Sequence, residues 1–563
     1  MNAEKKPQEK IVHTFQSSQN SNAMQFVDNR PSAIHQLKIE SRTSLPPIQM
    51  VGRRDFARDS QEVKEFYLQL YRSVKSIVDS IDYDVANFTD PNASHLWWSI
   101  KRHFKNEKNI DCIIGKCSSL STGAFITEKH RRNVTNSFES TFKSIQNNET
   151  QLQRYKNSVL GVINSMNVPI KQTLEDVLYW GLQNTPKARS VNSIQLTDND
   201  MHTRGVGVCI VEYCDSIIGG TVTKRVIKPE DKSFEAIVYG GNESLANDFN
   251  TGVLGINAHS TQVEKDQGIG ILDIKTSQNH GSSVEFFEHE RAENTGDKFT
   301  GGDNINIHTL NVDSFINNMI FSSLLGLADL HRENLVFGKD STGKRKPQFI
   351  DAEIGFKYRM DSETAVGNRA SPLRTVGEKG ELVYLNVEGY NFDGQPRGDV
   401  IDGEYNSRQF MDTARNKFEE IKAFIYSLET KLANKRSRIV PLATPQFYAL
   451  RHSVYIRENI PQETFKREYI DKLKLGSIFR SIDEGRLLNM NEISVRTHRD
   501  LLLGRIPFFE YNFQTGEYLQ KFSDGTELVI YQSEDLKLSA IIAHNVMKLN
   551  DYRRTLPPVR ETH

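Results

Sequence analysis

Asp329, Asn334 and Asp351 stand out by residue type and spacing. The first two lie in Ala328-Asp329-Leu330-His331-Arg332-Glu333-Asn334-Leu335-Val336-Phe337. The third lies in Pro347-Gln348-Phe349-Ile350-Asp351-Ala352-Glu353, after a polar turn from Gly338 to Lys346. This reads as a helix end, a loop, a short strand, a turn, a second strand and a carboxylate. Such a hairpin returns Asp351 to the side of Asn334 and leaves Asp329 at the mouth of the loop. Asp329 could then orient or deprotonate a hydroxyl, while an Asn–Asp pair chelates Mg²⁺ on ATP, the layout of a phosphoryl-transfer loop. Asp and Asn are also common turn formers, so the competing reading is a surface hairpin with polar decoration. Apolar strands on both sides and an apolar helix before them favour the first.

Phosphoryl transfer also needs a cation for the nucleotide phosphates. Lys228 closes a strand just before Pro229, upstream of Asp329, where a kinase N-lobe places its lysine. Farther upstream, Asn199-Asp200-Met201-His202-Thr203-Arg204-Gly205-Val206-Gly207 supplies two glycines that would let a loop approach phosphates. The spacing is not the six-residue glycine fingerprint of protein kinases.

The elements that must position these residues follow from periodicity. Val63 to Ile81 recurs at helical intervals, and further helical patterns cover roughly 135–166 and 172–184. Residues 56–198 are expected to form a helical domain, with the Trp97-Trp98 pair in its core. Gly205–Cys214 alternates, Asp215–Gly220 supplies a turn and Thr221–Lys228 alternates again, an antiparallel hairpin. A second hairpin is expected over 268–289, turning at Asn279-His280-Gly281, and a helix from Ser233 interrupted at Gly240-Gly241. This β-rich lobe spans 199–300. From Val312 onward helices are expected to dominate a lobe over 301–563. The fold class expected is α+β.

Composition excludes more than it assigns. Lys+Arg is 71 and Asp+Glu is 72, so no global field favours nucleic acid. No apolar run is long enough to span a bilayer. The four cysteines lack redox or zinc spacing and are read as reduced core residues. Residues 1–55 are polar, with only Phe15 and Phe26 as aromatics, and are expected to be disordered. Two apolar islands interrupt them, Met24-Gln25-Phe26-Val27-Asp28-Asn29-Arg30-Pro31-Ser32-Ala33 and Pro46-Pro47-Ile48-Gln49-Met50-Val51. No apolar signal-peptide segment precedes the fold.

Taken together, these residues resemble the dehydratase domain of class II lanthipeptide synthetases, whose fold is similar to a lipid-kinase core. The matching segments, in order, are Asp200/His202 with Arg204-Gly205, then Ile227-Lys228-Pro229-Glu230, the Asp329–Leu335 loop and Ile350-Asp351-Ala352-Glu353. Arg438 with Thr444 and Glu484, Leu488 and Arg505-Ile506-Pro507-Phe508-Phe509 complete the series. The resemblance implies a helical N-terminal domain before a two-lobed kinase-like core with a helix-rich C-lobe. It implies phosphorylation of Ser or Thr on a protein or peptide, then elimination of the phosphate to a dehydroamino acid. Lys228 would hold ATP phosphate with Arg204 and Gly205 nearby, Asp329 would act on the hydroxyl, and Asn334 and Asp351 would bind Mg²⁺. Asp200, His202 and His331 would be active-site residues, and Arg438 and Thr444 would serve elimination. Leu442, Arg505 and Glu230 depart from the pattern, and they weaken the elimination step more than the transfer step. The cyclase domain that usually follows is not expected here.

The two N-terminal islands resemble leaders of cargo from bacterial extracellular contractile injection systems. That implies synthesis in a bacterial cytoplasm, loading into an injection particle and delivery into a target cell as a toxin or effector. Alternatives are a kinase-only effector, a dehydratase for a lanthipeptide precursor in the producer cell, and a non-catalytic pseudokinase-like binding module.

Overall fold

Apolar residues at helical spacing bury one face of α1 (Gln61–Ser80), including Val63, Phe66, Leu70, Val74 and Val78. The computed structural model describes residues 61–122, 147–352, 416–439 and 508–555, with internal gaps (198–204, 292–309 and 328–334 the longest) and a few isolated positions elsewhere. Helices α2 (Ala93–Phe104), α3 (Glu107–Thr122), α4 (Glu149–Asn164) and α5 (Asn167–Gln183) pack with α1 around one core. Trp97, Phe104, Tyr155 and Leu174 fill it. Trp98 does not join them and is 67% exposed, so only the first of the tryptophan pair is a core residue. Helix α5 begins earlier than the pattern suggests because Pro169 sits in its first turn, where a missing N–H breaks no intrahelical bond.

A five-stranded antiparallel sheet follows, in the order β1-β2-β3-β5-β4. Its strands are β1 (Ser190–Leu196), β2 (Cys209–Cys214), β3 (Val222–Lys228), β4 (Ile274–Ser277) and β5 (Gly281–Glu285). Both hairpins lie over the expected residues, β2 with β3 and β4 with β5. β1 is the difference: it falls inside the span expected to be helical, so the sheet starts before residue 199. Alternation then sorts two faces. Val211, Tyr213 and Ile227 belong to the helical core, while Val284, with Val226 packed beside it, belongs to a second core.

The second core gathers α6 (Ser233–Tyr239), α7 (Leu245–Gly252) and α9 (Val312–Leu324), with the short α8 (Gln262–Asp266) at its edge. A three-stranded sheet packs there, β6 (Glu290–Arg291), β7 (Leu335–Lys339) and β8 (Arg345–Phe349). α10 (Phe418–Leu432) and α11 (Leu538–Thr555) add to it. The expectation of a helix-dominated C-terminal lobe needs amending. A four-stranded antiparallel sheet stands there, ordered β12-β11-β10-β9, from β9 (Arg436–Ile439), β10 (Phe508–Asn512), β11 (Glu517–Lys521) and β12 (Glu527–Gln532). Helices and antiparallel sheets thus mix in an α+β chain. Among the described residues no helix is long and apolar enough to cross a membrane.

Arg225 ties β3 to β5 and to Asp273, the residue that leads into β4. Its guanidinium donates to Ser283 Oγ and O (both 2.9 Å), to Asp273 Oδ2 (2.7 Å) and to Asp273 O (2.9 Å). The side chain is 5% exposed while Asp273 is half open to water, so the bonds inside the sheet matter more than the ion pair. Arg225→Ala strands the Ser283 acceptors without their donor and is expected to cost about 2–4 kcal/mol in urea unfolding. A loss below about 1 kcal/mol would show that water replaces the guanidinium.

Candidate functional site

Lys224, Val226 and Lys228 alternate along β3 with Arg225 and Ile227, which sets Lys228 on the face turned away from the helical core. Three residues separate Pro229 from the start of α6 at Ser233. Its first turn carries Glu235. Lys228 Nζ lies 3.1 Å from Glu235 Oε2, with side-chain exposures of 12% and 1%. A carboxylate buried to that degree is costly unless a cation and hydrogen bonds accompany it, so the pair keeps the Lys228 ammonium beside α6. Beside it, Lys232 Nζ and Glu230 Oε2 stand 3.4 Å apart.

The start of β5 braces this strand end. Lys228 pairs in register with Ser282. Ser282 Oγ donates to Glu230 O and accepts from the Lys232 amide, both at 2.8 Å. Gly281 has φ +59°, and a Cβ there would stand 2.2 Å from Lys228 O, so both conformation and proximity demand glycine. On its other side α6 packs against β9. β9 carries Arg438, opposite Glu510 in the register with β10. The strand expected to serve elimination therefore adjoins the helix that holds Lys228's partner.

The hairpin β7–β8 forms as the sequence suggests, with Leu335 opposite Phe349. The residue after Asn334 thus faces the residue two before Asp351. Its turn is heavily anchored. Asp340 Oδ1 accepts from the Thr342 amide (2.8 Å), the Thr342 hydroxyl (2.7 Å) and the Lys344 amide (2.9 Å), and Oδ2 accepts from Asn311 Nδ2 (2.9 Å). Asp266 Oδ2 accepts from the amide of Ser341 (2.8 Å) and from its hydroxyl. Burial works to raise both carboxyls, but these donors leave each below the ordinary aspartate value. Burial lowers the neighbouring Lys346 ammonium, and the two aspartates oppose that. Ala352 is fully buried in the second core, which fixes the chain just past the hairpin.

Asp200, His202, Arg204, Asp329, His331, Asn334, Asp351 and Thr444 lie outside the described residues. Lys228 and Gly205 are described, and for Arg438 the backbone is. Gly205 is buried, and a Cβ on it would stand 2.7 Å from Thr173 Oγ1 and 3.3 Å from Pro229 Cβ. Close packing on α5 thus requires glycine there whether or not a phosphate approaches. The next amide, of Val206, donates to Thr173 Oγ1 (3.0 Å), and Val206 O accepts from Lys116 Nζ (2.7 Å). Among the described residues no group of three or more His, Cys, Asp or Glu could hold a metal. All four cysteines are free thiols, and burial pushes those of Cys117 and Cys209 up to about 12, the behaviour of core residues.

Sequence reasoning missed Glu235. Its signal was an acidic residue in the first turn of the helix after the lysine strand, a place where glutamate is common for dipole reasons alone. Neither a scan against protein-family models nor a comparison with curated proteins finds a match to this chain.

Proposed function

We propose that the chain is an ATP- and Mg²⁺-dependent phosphotransferase acting on Ser or Thr of a protein or peptide, with a following phosphate elimination. The observation that carries this reading is the buried Lys228–Glu235 ion pair between β3 and α6. A lysine on the third strand of an antiparallel sheet, paired with a glutamate on the next helix, is the arrangement by which protein kinases present an ammonium to nucleotide phosphates. The sheet and α6 would form one lobe, and the second core with the β7–β8 hairpin the other.

In this reading Lys228 grips phosphate, and Asp329 orients or deprotonates the substrate hydroxyl. Asn334 and Asp351, at the open end of the hairpin, would hold Mg²⁺, which neutralises phosphate charge when bound. Arg438, on the strand next to α6, would grip the phosphate ester as the C–O bond breaks and a proton leaves the α-carbon, giving a dehydroamino acid and phosphate. Asp200, His202 and His331, with Arg204 and Gly205, would line the same cleft, and Thr444 would assist elimination.

The test is incubation with ATP·Mg²⁺ and a target-cell lysate, followed by intact mass analysis of modified proteins. Net loss of water supports the full reaction, gain of phosphate supports transfer alone, and no ATP-dependent change defeats the proposal. Arg438→Ala is expected to leave transfer intact and make phosphoprotein accumulate. Loss of a charge-assisted phosphate contact raises the elimination barrier by ~2–4 kcal/mol. If wild type and variant both yield only phosphoprotein, the chain is a kinase without a lyase step.

The leader islands support a cargo role, with residues 1–55 addressing the chain to a contractile injection particle. A chain starting near Arg53 should turn over ATP at the wild-type rate but fail to load. Equal loading of both forms would dismiss that role.

A further inference from the structure

We infer that His280 is a positioning residue: by fastening the β4–β5 turn to helix α5, it holds the Lys228–Glu235 pair in place from the far face of the sheet. A histidine in a hairpin turn would ordinarily face water. Here its ring stacks on Tyr179 with centroids 4.1 Å apart and planes 15° from parallel, and its side chain is 23% exposed. His280 Nδ1 lies 3.2 Å from Asp176 Oδ1, a carboxylate 2% exposed, and Trp180 Nε1 donates to His280 O at 2.7 Å. Three residues of one α5 face thus converge on one turn residue. Asp176, Tyr179 and Trp180 are three and four apart, the spacing that puts them on a common face.

From His280 the contacts run without a break to the ion pair. Gly281 packs on Lys228 O, and Ser282 pairs with Lys228 in the ladder. The Ser282 hydroxyl bridges Glu230 O and the Lys232 amide, one residue before the helix that bears Glu235. Moving the turn therefore moves both ends of the pair together. Buried polar contacts of this kind fix a geometry rather than add much stability, because desolvating Asp176 offsets most of its attraction for the imidazole. The structural half of the inference stands alone; its link to nucleotide binding rests on the function proposed above.

The test is amide hydrogen exchange of the full chain, read by mass spectrometry, in His280→Ala, His280→Asn and Val78→Ala. Val78 is fully buried in α1 and serves as a core truncation that does not touch the turn. His280→Ala should speed exchange about tenfold over 228–239 as well as over 276–284. His280→Asn, which keeps a donor near the Nδ1 position, should restore most of that protection. Val78→Ala should leave 228–239 within about threefold of wild type. Should His280→Ala fail to fold, Asp176→Asn is expected to give the same pattern. The inference is overturned if faster exchange stays within 276–284, if Asn restores nothing, or if Val78→Ala loosens 228–239 equally. Fluorescent ATP analogue binding in the same variants reads the functional half. Wild type that binds none defeats the proposed function and leaves the exchange result to decide the role of His280.

Discussion

If the chain is the phosphotransferase proposed above, Lys228→Met is expected to lower ATP-dependent phosphoryl transfer by on the order of 10³-fold, and the loss is expected to persist after stability is repaired. The single substitution also destabilises, because Glu235 is 1% exposed and loses the cation 3.1 Å away. Breaking a buried pair from one side typically costs about 3–5 kcal/mol. Adding Glu235→Met removes the stranded charge, and an apolar pair of similar volume recovers most of that cost. The double-mutant cycle therefore separates two roles that one variant confounds. If Lys228 serves only the packing of α6 on the sheet, the double variant regains activity along with stability. If it grips phosphate, the double variant melts like wild type and remains inactive. Transfer at wild-type rates in the double variant would remove the main support for a phosphotransferase.

Asp351→Asn should lower transfer by ~100-fold or more with little change in melting temperature. A neutral amide is a much weaker Mg²⁺ ligand than a carboxylate of the same shape. Two nearby features argue that the fold tolerates the change. The hairpin turn is anchored at its far end by Asp340 and Asp266, and Ala352 secures the chain on the core side. Raised Mg²⁺ should recover part of the rate if the defect is metal affinity. Wild-type transfer by the variant would show that the Mg²⁺ assignment is wrong.

The two hairpins of the sheet were legible chiefly from their turn residues, Asp215–Gly220 and Asn279-His280-Gly281, the latter with Gly281 at positive φ. The alternation of Val206, Val208 and Ile210 had the wrong phase, since β2 begins at Cys209 and turns Cys209, Val211 and Tyr213 to the helical core. The break at Gly240-Gly241 was legible for the same reason, and α6 stops there. β1 was not legible. Its buried residues are Val191, Ile194 and Leu196, and the register shift between Val191 and Ser193 destroys the two-residue period. A second shift, between Tyr518 and Leu519, blurs the C-terminal sheet, and Arg436–Ile439 is too short and too charged to read as a strand. At the candidate site, Lys228 could be found from its place at a strand end. Glu235 could not, since nothing local distinguishes a buried, paired glutamate from a solvated one in a first helical turn. Asp176 and His280, about a hundred residues apart in sequence, meet only through the fold.

The larger sheet has an apolar core on each face, and β3 contributes to both through Ile227 and Val226. The helical core is therefore no detachable module. Cutting near residue 197 to isolate the Lys228 site would strip β1 from β2 and expose Val211, Tyr213 and Ile227 to water as one continuous apolar face. Such a face drives aggregation, so a soluble fragment has to begin before α1. Any transplant of the Lys228 site into another protein would have to bring the five helices with it.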